Sequence, residues 1–245
     1  YVGMGNNPVF YNDIRGDTVK WNISGEEKTL IQKAWKKHLG SRLYSKLINQ
    51  LEESEIVYNI SAINDANNDA AGQFIGNYYG EIKPPPGDDN LKPFKYPAAG
   101  SSSIAQGGEI VMNLSYVDGS FTKDEKVHLL AIFMVEEVVH ATQYDDHVKK
   151  NGNAIKNKIS SGNMEFEAKS IVGQIQTQTK GLEMMKSDKI AGDYGRKSFK
   201  EGKVNNSDYF KQASKWLPQS SYFNRLLNKK TAPALLIRLI NANKK

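Results

Sequence analysis

Between Phe133 and Tyr144 the chain reads FMVEEVVHATQY, an apolar run interrupted by two glutamates and a histidine. On a helix, Glu136 and His140 stand one turn apart on one face and Glu137 sits three before His140, so the three side chains converge. A carboxylate buried without compensation costs on the order of several kcal/mol. The cluster therefore demands a metal ion, a proton or a charged partner, and it marks a site of chemistry or a satisfied buried network.

What could satisfy it is bounded by composition. The 245 residues contain no cysteine, which excludes disulfides, thiolate nucleophiles and Cys-ligated zinc and leaves His, Asp and Glu as metal ligands. With 39% apolar residues the chain can bury one substantial core, so one main domain is expected. No run reaches the roughly 18 apolar residues of a membrane span, and the opening lacks the regions of a signal peptide, so the body is expected to be soluble. Residues 1–120 carry 11 Lys+Arg against 14 Asp+Glu, whereas residues 121–245 carry 22 against 13. The basic excess is not interleaved with stacking aromatics, so it reads as a solvated helical surface and nucleic acid is not the expected partner.

Spacing predicts the elements around the cluster. Ser24 with Glu27, and Thr122 with Glu125, have the form of capping boxes. The first opens an amphipathic helix ending by Gly40, and a second helix follows over residues 42–53. Strands are expected over 55–63 and from Gly107 to Tyr116, separated by a polar Asn/Asp loop and a proline-rich connection (84–103). The second capping box opens a core helix from Lys123 to about Lys150 that carries Glu136, Glu137 and His140. A further helix from Met164 to about Thr179 has Glu165 and Glu167 in its first turn, and later helices are expected over 207–216 and 234–241.

Two resemblances follow from these motifs. The opening Asn6-Asn7-Pro8, followed by Asp13 and Gly16, resembles the closing motif of the Rhs/YD-repeat core, although Ile14 stands where that family has proline. That resemblance implies that residues 1–17 end an Rhs-like core and that residues 18–245 are a delivered, toxin-type effector domain of a larger bacterial protein. An Rhs-type shell and an immunity protein would then be its partners. Glu136-Glu137-Val-Val-His140, with Glu165-Phe-Glu167-Ala168 on the next helix, resembles the gluzincin metallopeptidases, whose helices carry His-Glu-x-x-His and Glu-x-x-Ala. Glu136 occupies the place of the first histidine.

The second resemblance implies an α+β, zincin-like fold in which a small sheet packs on the long motif helix, with further helices in the C-terminal half. It also implies a divalent ion held by Glu136, His140 and Glu165, with Glu167 as an alternative ligand, Glu137 as the general base, and a protein or peptide as substrate. Zinc is the metal the resemblance implies, while the extra carboxylate in place of histidine turns preference toward manganese or ferrous iron. Three rivals stand beside this reading. The residues can form a metal-free buried network in an inactive zincin-like binding domain. A ferritin-like di-metal bundle would need a second Glu-x-x-His on another helix and two more helical glutamates, whereas the other Glu-x-x-His here, Glu125-Lys-Val-His128, falls on the same expected helix as the first. A nuclease toxin would draw on the basic half, where His147 with Asp145 and Asp146 is the other acidic-histidine cluster, expected to be solvated. His38 and His128 are expected at the surface or at helix caps, and Tyr144, Tyr194 and Tyr222 are candidates for stabilising an oxyanion.

Overall fold

The computed structural model describes residues 18–68, 70–76, 81–82, 94–95, 106–119, 121–151, 161–220, 227–229 and 232–244. Residues 1–17, on which the Rhs resemblance falls, Tyr222 and most of the proline-rich connection lie outside them. Among the described residues the fold is α+β, with seven α-helices and a four-stranded mixed sheet.

The sheet runs in the order β1 (Val19–Trp21), β2 (Val57–Ile63), β6 (Gln106–Asn113), β3 (Gly72–Gly76). β1, β2 and β6 are parallel, and β3 closes one edge antiparallel to β6. A separate two-residue pairing joins β4 (Glu81–Ile82) to β5 (Phe94–Lys95). Alternation decides which face is buried: Tyr58 and Ile60, then Ile110 and Met112, are all removed from solvent. Register places Gly72 opposite Met112 and Phe74 opposite Ile110, so these residues of β3 share that inward face.

Beneath this face lies α3 (Lys123–Asn151), packed against β3, β6, α1 (Gly25–Lys36) and α2 (Arg42–Glu52). Its start is set by the expected reciprocal cap: Thr122 N donates to Glu125 Oε2 (2.7 Å) and Glu125 N to Thr122 Oγ1 (3.3 Å). The other expected capping box does not form. Ser24 occupies the N-cap of α1 without a side-chain bond, and α1 begins at Gly25 with φ 61°. α2 is instead capped by Ser41, whose side chain accepts from Tyr44 N.

On its other side α3 meets α4 (Ser161–Gln176), which packs against α5 (Lys189–Glu201), and α5 against α6 (Asn206–Trp216). α7 (Ala234–Ala242) buries Leu235, Leu236, Leu239 and Ile240 against α3 and α4. The spacing did not predict α5, and its interior glycines explain why. A Cβ on Gly195 would lie 1.8 Å from the Ser170 carbonyl oxygen, and one on Gly173 would lie 2.3 Å from Gly192 Cα. The glycines that weaken the helix signal are what allow α4 and α5 to touch. No helix among the described residues is long and apolar enough to cross a membrane.

Candidate metal centre

Two helices build the site, α3 through Glu136, Glu137 and His140 and α4 through Glu165. His140 Nε2 lies 3.2 Å from Glu165 Oε2 and 4.0 Å from Glu136 Oε1. One donor atom from each of these three residues falls within 4.8 Å of the others, and the side chains are only 12–15% exposed. A tetrahedral ion with bonds of about 2.1 Å separates its donors by about 3.4 Å, so the cluster needs little adjustment to hold one.

The orientation of His140 fits a ligand. Gln143 Nε2 donates to the Met164 carbonyl (3.1 Å) and to Glu167 Oε2 (2.8 Å), which leaves Gln143 Oε1 as acceptor, 2.8 Å from His140 Nδ1. Nδ1 therefore carries the hydrogen, and Nε2 is directed at Glu165. Glu167 lies outside that group of three: its Oε1 accepts from Leu236 N (2.9 Å) at the first turn of α7 and its Oε2 from Gln143. Burial, partly opposed by those donors, raises its carboxyl to about 7.

Glu137 is buried below β3. A Cβ on Gly72 would come within 3.0 Å of Glu137 Cγ, so the glycine leaves the space this carboxyl fills. Burial raises Glu137 to about 8, against the pull of His140 and with the push of Glu136 and Glu165. Burial alone would lower His140, but Glu165, Glu137 and Glu136 outweigh it and raise the imidazole to about 10. A divalent ion at this point would offset the same carboxylate charge.

Sequence reasoning missed Lys169, whose Nζ lies 2.7 Å from Glu136 Oε2 and 3.0 Å from Asp188 Oδ2. Its spacing of four from Glu165, like that of Gln143 three from His140, was the available signal. Other expectations change. His38 is buried, not at the surface, with Nδ1 3.0 Å from Thr179 Oγ1. Asp145 is fully buried, not solvated. Tyr144 and Tyr194 are core residues, Tyr144 packed on Tyr58 and Phe74 and Tyr194 on Phe166 and Tyr209. Part of the basic excess is consumed in pairs, Arg238 with Asp146 and Lys197 with Asp208 among them. Compared with family models, curated proteins and solved structures, the chain finds no match in any of the three.

Proposed function

We propose that the chain is a zincin-like, metal-dependent peptidase acting as a toxin-type effector domain. The observation that carries the reading is the convergence of Glu136, His140 and Glu165 with His140 Nε2 turned toward the carboxylates and Glu137 buried beside them. The sheet supports it too. An antiparallel edge strand, β3, lies over the motif helix, and among the described residues no strand pairs with its outer edge. In the proposed reading an extended peptide would pair along that edge.

In this mechanism Glu136, His140 and Glu165 would hold the ion, with zinc implied by resemblance and manganese or ferrous iron as the oxygen-rich alternatives. When bound, a divalent ion acidifies water and polarises a peptide carbonyl. Glu137 takes the proton from the attacking water and returns it to the leaving amine. Gln143 and Glu167 keep His140 in the ligating tautomer. The Rhs-type shell, the immunity partner and delivery from a larger bacterial protein belong to the same proposal and rest on residues 1–17.

A second reading has its own support. Lys169 on Glu136, and His140 on Glu165, already pair these charges, as an inactive zincin-like domain with a metal-free network would need. Calorimetry on chelator-stripped protein separates the two. The proposal expects about one zinc, manganese or ferrous ion per chain. Glu137→Gln should keep that binding and lower peptide hydrolysis by about 10²–10⁴. Failure of all three ions to bind leaves the network reading in place, and nucleic-acid cleavage that survives Glu137→Gln would favour the nuclease alternative.

A further inference from the structure

Lys169 carries a role that the ligand set alone does not explain. It lies one turn along α4 from Glu165, on the same face, and its residue is 8% exposed. Burying an ammonium is unfavourable unless carboxylates meet it, and here two do, Glu136 at 2.7 Å and Asp188 at 3.0 Å. Asp188 is itself buried, at the turn that leads into α5, and its Oδ1 accepts from Trp216 Nε1 at 3.3 Å. The lysine is thus pinned from behind by elements that supply no ligand. A cation that merely neutralised Glu136 would need no such anchor.

The two oxygens of Glu136 are consequently unequal: Oε2 is held by Lys169, while Oε1 is the one facing His140 Nε2. We propose that Lys169 is a positioning residue that makes Glu136 a one-oxygen ligand and so sets the coordination number of the site. The proposal rests on the metal-centre reading above. A carboxylate with both oxygens available chelates an ion and favours the larger, higher-coordinate metals, whereas single donors from three residues suit a four-coordinate ion such as zinc. Lys169 thereby offsets the drift toward manganese or iron that a glutamate in place of histidine would otherwise produce.

The test uses cobalt(II), whose visible absorption is strong in four-coordinate sites and weak in five- or six-coordinate ones, together with zinc and manganese affinities. Wild-type protein should give the strong spectrum. Lys169→Met should give a weaker one and lose about 10–100-fold in its zinc-over-manganese preference, and Lys169→Arg should restore both. If Lys169→Met does not fold, Asp188→Asn, which leaves the lysine loosely anchored, should shift both readouts the same way by less. An unchanged spectrum and metal preference in the folded variants, even with a lower melting temperature, would overturn the clamp and leave the metal centre standing. No binding of cobalt, zinc or manganese by wild-type protein would overturn the metal centre, and the clamp with it.

Discussion

Asp145 lies on α3 beyond the site, fully buried, and accepts from Ser54 Oγ (2.5 Å), Tyr58 OH (3.0 Å) and Gln50 Nε2 (2.7 Å) while pairing with Lys149 Nζ (2.6 Å). One side chain thereby ties α3 to α2 and β2. Asp145→Ala should lower unfolding free energy by about 3–5 kcal/mol, because the buried donors lose their acceptor together. Chemical denaturation would measure the loss, and a change under 1 kcal/mol would show that water replaces the carboxylate. Local spacing places this aspartate among polar neighbours at a helix end. Apart from Lys149 its donors come from far upstream, so a window around residue 145 contains only part of the reason for its burial. The site divides in the same way. Glu136, Glu137, His140 and Glu165 are legible because helical period alone brings three of them together, whereas the spacing of Lys169 from Glu165 gives only its face of the helix, and its pairing with Glu136 and Asp188 is supplied by packing.

At the scale of elements, α3, α4, α6 and α7 follow caps and apolar period to within a few residues. β3 and α5 do not, since each is short of strong local signal and is stabilised by a neighbour, β6 for the strand and α4 for the helix. The α4–α5 contact gives the sharpest mutational test. Gly195→Ala would drive a methyl into the Ser170 carbonyl and force the helices apart, an overpacking cost of about 1–3 kcal/mol or more. Because Glu165 and Lys169 ride on α4 and Asp188 leads into α5, the variant should also bind metal more weakly than wild type. A melting curve and a metal titration on the same sample check both parts. Unaltered metal affinity in a destabilised Gly195→Ala would mean that the centre does not depend on this crossing.

Across the whole molecule, His38 couples the end of α1 to the segment after α4 through Thr179. Burial, with His128 and Lys37 adding to it, lowers its imidazole from 6.5 to about 4. Between those values the unfolded chain binds more protons than the folded one, so stability rises with pH through the window and falls as pH drops from about 6.5 toward 4. His38→Gln should flatten that part of the profile. Melting temperatures of wild type and variant that stay parallel between pH 7 and 4 would refute it. The sequence by itself determined the α+β class, the long motif helix and the grouping of Glu136, Glu137 and His140, because helical period and capping are local and need no partner. It also excluded thiol chemistry outright, through the lack of cysteine. Only the tertiary structure decided that β3 covers Glu137, that Gln143 and Glu167 orient His140, and that Lys169 holds one oxygen of Glu136. Those contacts join residues distant in sequence, and their energies exist only once burial has removed the water that would otherwise solvate each group.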